Sequence, residues 1–152
     1  MVMSIFAELR AGIATKSAEE TRSLATRLAQ ALPIDATLAL HGDLGVGKTT
    51  FVQGLAKGFG VTASVTSPTF NIFTMHRGGS RMLVHFDAYR LENDSQVESL
   101  MLDDFLVSPY CLAVEWPENV ATWLPQDAWH ITLRILDAQR HHLQLTGGEP
   151  AA

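Results

Sequence analysis

The sequence predicts an α/β fold of three layers, with a mainly parallel central sheet and antiparallel strands at an edge. Three observations predict it. Apolar, strand-like runs alternate with helix-like patterns through most of the chain. A glycine-rich turn, Gly42 to Gly47, joins one such run directly to one such helix. Two further strand-like segments close the chain in the manner of a hairpin.

Taken in order, Ser4 to Leu9 is expected as a first strand. Ser17 opens a helix, because Glu20 stands three residues on in capping-box spacing and Leu24, Leu28, Ala31 and Leu32 follow on one face. Pro33 ends that pattern, and Thr37 to Leu40 is a short buried-type strand. Phe51, Leu55 and Phe59 mark a helix that starts at Lys48 and is closed by Gly60. The Thr- and Ser-rich stretch Thr62 to Thr69, with Pro68, reads as loop. Asn71 to Met75 and Met82 to Phe86 are expected to pair across the turn Arg77-Gly78-Gly79-Ser80. Ser95 and Glu98 repeat the capping-box spacing ahead of a helix running through Leu100 and Leu102. Cys111 to Val114 is a buried-type strand, and Trp129 to Leu136 with His141 to Leu145 form the closing hairpin. Residues 1–152 are expected as a single domain, with a frayed tail from Gly147.

Composition excludes several classes. At 47% hydrophobic and 18% charged residues the chain can bury a core and is not of disordered or fibrous type. Its net charge is −5, with 11 basic residues scattered against 16 acidic ones, which argues against wide direct contact with a nucleic-acid backbone, DNA included. No apolar run is long enough to span a bilayer, and Met1 to Arg10 lacks the pattern of a secretory signal. The single cysteine, Cys111, permits no internal disulfide and fits a reducing compartment, so a cytoplasmic, membrane-free protein is expected.

Gly42-Asp43-Leu44-Gly45-Val46-Gly47-Lys48-Thr49 fits G-x-x-x-x-G-K-[ST] at every fixed position. Glycines let such a loop turn tightly and aim its N–H groups at phosphate oxygens, and the following helix adds its positive end. The expected cradle runs from Asp43 through Leu44, Gly45, Val46, Gly47, Lys48 and Thr49 to Thr50, with Lys48 on the β- and γ-phosphates and the Thr49 hydroxyl on Mg²⁺. The fold class is therefore the P-loop nucleotide-binding one.

A triphosphate with its metal needs acidic support. Met82 to Phe86 runs into Asp87, and Cys111 to Val114 runs into Glu115. If both strands lie parallel to Thr37–Leu40, both acids emerge at the edge that carries the phosphate loop. Asp87 would then hold Mg²⁺ directly or through water, while Glu115 would hold the metal or orient an attacking water. Thr69 lies in a loop able to fold over a γ-phosphate, although its residue type alone reads as a turn threonine.

Together with the phosphate loop, the segments Thr66-Ser67-Pro68-Thr69-Phe70, His85-Phe86-Asp87-Ala88-Tyr89-Arg90-Leu91 and Val114-Glu115-Trp116-Pro117-Glu118 resemble the TsaE (YjeE) family in order and spacing. The departures are small: Val46 stands where alanine is more usual, and Ala88 where a larger apolar residue is common. The resemblance implies a small bacterial Mg²⁺-dependent ATPase. It would act in forming threonylcarbamoyladenosine, next to the anticodon of tRNAs that read codons beginning with A. It implies TsaD and TsaB as partners, a tRNA met only indirectly, and ATP hydrolysis that resets the assembly. On the same grounds Lys48 and Thr49 are the phosphate and metal residues, and Thr69 is a switch-like catalytic threonine. Asp87 is the acid supporting the metal, and Glu115 the acid near metal and γ-phosphate.

Other residues stay open between two roles. Trp116 is placed either beside the nucleotide or in packing. Tyr89 and Arg90 are similar, Arg90 being read as one half of a structural ion pair. Asp43 either positions the ligand or braces its loop. The six histidines show no tight metal spacing, and His141-His142 divides between two strand faces. Cys111 reads as an inert core thiol, and Trp123 and Trp129 as packing residues. Two competing functions share the fold: a small-molecule kinase, and a nucleotide-gated binding module with little turnover. Only Arg77, Arg81 and Arg90 are basic between Gly60 and Leu124, which is thin for the lid of a kinase.

Overall fold

The computed structural model describes residues 4–43, 45–66 and 72–148. Seven strands form one sheet in the order β1-β7-β6-β2-β5-β4-β3. The elements are α1 (Ile5–Ala11), β1 (Ile13–Thr15), α2 (Ala18–Ala31), β2 (Ala36–His41), α3 (Lys48–Gly58), β3 (Phe73–Arg77), β4 (Met82–Asp87), α4 (Asp94–Ser99), β5 (Tyr110–Glu115), β6 (Trp129–Ile135) and β7 (His141–Gly147). Short 3₁₀ turns occupy Leu102–Phe105 and Pro117–Val120. Strands β4, β5, β2 and β6 run parallel. The antiparallel partners β3 on one side, and β7 with β1 on the other, finish both edges rather than one.

Alternation along the central strands builds two cores. Leu38, Leu40, Leu83, Cys111 and Ala113 face α1, α2 and α3, together with Leu24, Leu28, Phe51 and Leu55. Val84, Phe86, Leu112 and Val114 face the other way, onto Val97 of α4 and Leu102 and Val120 of the 3₁₀ turns. A period of two on each strand thus fills both faces of a parallel sheet, giving the three layers expected. Helix α3 is drawn tightly to α2 through Gly54, where a Cβ would fall 2.3 Å from the Arg22 carbonyl oxygen. The Thr26 hydroxyl donates to the Gly54 carbonyl at 2.8 Å across the same contact.

Several local expectations need correction. Ser4 to Leu9 is not a strand. Ser4 caps α1, its hydroxyl accepting from the Ala7 amide at 3.1 Å, and Ile5 and Leu9 bury themselves one helical turn apart. Ser95 does not cap α4. Asn93 does, accepting from the Gln96 amide at 3.2 Å, while the Gln96 side chain reaches back to the Glu92 amide. That helix stops at Ser99, so Leu100 and Leu102 lie beyond it. Ala31 is exposed, and the buried face of α2 is instead Thr21, Leu24, Ala25, Leu28 and Ala29. Gly147 belongs to β7. Asn71 lies outside the described residues, and the strand expected there begins at Phe73. The capping expected at Ser17 is present, its hydroxyl accepting from the Glu20 amide at 3.1 Å.

Candidate functional site

The site forms where the parallel strands end. β2 delivers the chain into the Gly42–Gly47 turn, and α3 leaves it at Lys48. Gly47 is the residue that makes the junction, with φ of 100° in the left-handed region that disfavours a side chain. It caps α3 without a side-chain hydrogen bond, so the first-turn amides of Lys48, Thr49 and Thr50 have no intrahelical acceptor and are able to meet an anion. Val46 anchors the loop in the core, its amide donating to the Asp43 carbonyl at 3.2 Å. The loop is therefore braced by the backbone of Asp43, whose side chain is exposed. Thr49 and Thr50 are half-buried, and Gly45 is exposed.

Lys48 is 4% exposed. Its ammonium donates to the Gly42 carbonyl at 2.8 Å and stands 3.8 Å over the Trp116 ring. Burial pulls it below the ordinary lysine range, and Glu115, Asp87, Glu118 and Asp43 in turn pull it back up. Trp116 reaches this position because it takes a left-handed backbone, φ 57°, directly after β5, and its ring also meets Tyr89 at 5.1 Å. Trp116 thus packs against Lys48 and Tyr89.

Asp87 and Glu115 are paired residues of β4 and β5, so their side chains leave the same face at the same level. Asp87 is half-buried, and its Oδ1 accepts from the Tyr89 amide at 3.0 Å. Burial raises its carboxyl above the usual range, Glu115 raises it further, and the Tyr89 hydrogen bond opposes both. Glu115 is 5% exposed, and its Oε2 lies 2.5 Å from Nε2 of a fully buried histidine, His85. The turn after β5 is tied to the end of β4 by Asn119, whose side-chain amide donates to the Ala88 carbonyl at 2.9 Å.

The structure therefore brings Lys48, Asp87 and Glu115 to one end of the sheet. Leu44 and Thr69 lie outside the described residues. Arg90 is exposed and forms no ion pair among the described residues, contrary to the structural pair expected of it. Cys111 is an inert core thiol, with burial pushing it up to about 12. Metal spacing does not single out His85, but another signal in the sequence does: it sits two residues before Asp87, hence on the same strand face, inside an otherwise apolar run.

The chemistry of the donors suits a hard cation shared with phosphate. Among the described residues no group of three His, Cys, Asp or Glu side chains could enclose a metal ion. Two carboxylates and a threonine hydroxyl remain, all oxygen donors, which is the partial set that Mg²⁺ accepts when a ligand's phosphates and water complete its shell. No helix among the described residues is long and apolar enough to cross a membrane.

Comparison with known proteins agrees with this fold. Residues 15–143 match the family described as threonylcarbamoyl adenosine biosynthesis protein TsaE. The tRNA threonylcarbamoyladenosine biosynthesis protein TsaE of Bacillus subtilis strain 168 is 39% identical over 120 residues, covering 79% of this chain and 75% of the relative. The protein of the same description from Streptomyces coelicolor is 44% identical over 117 residues, covering 75% of this chain and 77% of the relative. The crystal structure of Bacillus subtilis YdiB superimposes with a TM-score of 0.77 at 30% identity, covering 91% of this chain and 85% of that one. The chain belongs to the TsaE family, whose members act in tRNA threonylcarbamoyladenosine biosynthesis.

Proposed function

We propose that this chain binds ATP with Mg²⁺ at Gly42–Thr49 and hydrolyses it in support of threonylcarbamoyladenosine formation on tRNAs that read codons beginning with A. The observation that carries this reading is the convergence of a buried lysine, a helix N-terminus and two register-matched carboxylates at one end of a parallel sheet. Lys48 and the first-turn amides of α3 bind and orient the phosphates. Thr49 and Asp87 hold the metal, Asp87 directly or through water. Glu115 either adds a metal ligand or orients the attacking water, and Thr69 belongs to the segment that answers the γ-phosphate. When bound, Mg²⁺ supplies neutralising charge to the phosphate oxygens.

The partners in this reading are TsaD and TsaB, with tRNA met only through them. A net charge of −5 and scattered cations support an indirect role, since counterion release from a nucleic acid needs clustered positive charge. The test is phosphate release from ATP with and without Mg²⁺ and the TsaB–TsaD pair, alongside co-elution with that pair in ATP, in ADP and without nucleotide. Mg²⁺-dependent release that rises with the pair, and co-elution favoured by ATP, are expected. Transfer of phosphate to a small acceptor would instead support a kinase, and co-elution in none of the three conditions would remove the partners.

A further inference from the structure

The feature of the molecule least explained so far is the histidine behind Glu115. His85 is fully buried in the middle of β4, between Thr74 of β3 and Ala113 of β5 in register. Its Nε2 is 2.5 Å from Glu115 Oε2. Its Nδ1 is buried and has no hydrogen-bond partner among the described residues. A buried polar atom without a partner is costly, so its presence in an apolar strand calls for a compensating role at the other nitrogen. The arrangement fixes the tautomer. A proton on Nδ1 would bury an unpaired N–H and turn the Nε2 lone pair towards a carboxylate oxygen. A proton on Nε2 gives the carboxylate a donor instead.

Glu115 has a second candidate partner. Lys48 is the nearby cation, and Glu115 is first among the carboxylates that act on it. In a site this buried the attraction between them is strong. Yet no Lys48–Glu115 ion pair forms among the described residues: the ammonium turns to the Gly42 carbonyl and the Trp116 ring. We propose that His85 is a positioning residue for Glu115. Resting on the ATPase reading above, it donates Nε2–H to Oε2, holds the carboxylate off Lys48, and so keeps lysine and carboxylate separately available to phosphate and to metal or water. Oε1, which accepts no hydrogen bond among the described residues, is the oxygen left for that work. Second partners of this kind typically alter activity or metal affinity by roughly 10–100-fold when removed.

The test uses the full chain with three substitutions. His85→Leu removes the donor, His85→Gln places an amide N–H near the Nε2 position, and His85→Asn carries its amide too short to reach Glu115. We expect His85→Leu to lower kcat for ATP hydrolysis roughly 10–100-fold and also to weaken nucleotide binding, as the freed carboxylate competes for Lys48, His85→Gln to recover most of both losses, and His85→Asn to behave like Leu. Should the Leu variant fail to fold, the Gln and Asn pair carries the comparison. Equal kcat in Gln and Asn, or a loss confined to nucleotide affinity, would overturn the proposal. The second readout needs no turnover: nitrogen-15 spectra of histidine-labelled protein should show His85 protonated on Nε2, with that proton shifting in Glu115→Gln. If wild-type protein hydrolyses no ATP, the ATPase reading fails by itself and the spectra decide the pairing. A proton on Nδ1, or an Nε2 proton indifferent to Glu115→Gln, overturns it.

Discussion

Asp87 and Glu115 end two neighbouring parallel strands, follow equally apolar runs and face each other in register, yet the fold treats them differently. Asp87 is half-buried, rests on the Tyr89 backbone amide, and is pushed above the usual carboxyl range by burial. Glu115 is almost fully buried and has a buried side-chain donor of its own in His85. The difference teaches that position at a strand end is not enough to assign a role. A carboxylate near solvent with one backbone donor can approach a metal through water. One enclosed beside lysine and held by histidine is fixed in place before any ligand arrives.

The largest expected effect comes from the group both acids share. Lys48→Ala removes the cation at the loop, and with it about two charge-assisted hydrogen bonds to phosphate. At roughly 1.5–3 kcal/mol each, nucleotide affinity should fall on the order of 1,000-fold or more. Nucleotide titration of folded protein measures it, and near-normal affinity with near-normal turnover would dissolve the common site on which the comparison rests.

Glu115→Ala comes next and separates the two acids. Turnover should fall on the order of 100-fold, as for a group that orients or deprotonates a water. The variant should also be less stable by about 1–3 kcal/mol, because the His85 Nε2–H is left buried without an acceptor. Thermal unfolding and phosphate release measure the two losses. A variant that loses turnover at full stability would show the histidine pair to be energetically idle.

Asp87→Asn sharpens the contrast from the other side. Mg²⁺ dependence should shift to higher concentration, roughly 10-fold, while stability is unchanged or slightly raised. The sign follows from the raised carboxyl. A folded-state value above the unfolded one means that the ionised form opposes folding at neutral pH, and asparagine removes that opposition. Metal titration with calorimetric melting tests it, and a clear drop in stability would place Asp87 in the same structural class as Glu115.

What the sequence revealed and what it hid divides along a physical line. Gly42–Thr49 was legible because its residues are contiguous and their spacing is the chemistry. The β4 and β5 runs were legible because burial on both faces writes continuous apolar stretches. The His85–Glu115 contact was hidden because it joins residues 30 apart and exists only through the register of two parallel strands. Ser4 to Leu9 is ambiguous because Ile5, Ala7 and Leu9 alternate as a strand would, while Ile5 and Leu9 also satisfy one helical turn. Six residues cannot decide between the two periods. At α4 both Ser95/Glu98 and Asn93/Gln96 have capping spacing, and the structure uses the asparagine.

The smallest effect tests whether polar burial at this end of the sheet matters away from the carboxylates. His41, the last residue of β2, and His130 of β6 stack with ring centroids 5.0 Å apart and share a hydrogen bond of 2.8 Å between Nε2 and Nδ1. One ring must donate and the other accept, so the contact holds only while at least one ring is neutral. Burial holds both below the ordinary histidine value of 6.5, and for His41 the second ring and Lys48 add to this while Glu118 opposes it. Below that ordinary value the unfolded chain therefore binds more protons than the native one, so stability falls as pH drops from neutral through 6.5 and towards the folded-state values. Both rings are only half-buried, so the loss should stay near or below about 1 kcal/mol, a few degrees of melting temperature in a chain of this size. His76, lowered chiefly by burial, adds to the same slope. Melting curves between neutral and mildly acidic pH should show the decline. His41→Asn with His130→Asn should flatten it without altering the contrast between Glu115→Ala and Asp87→Asn. If the double variant instead erased that contrast, the histidine pair and the carboxylates would be one coupled network rather than neighbours.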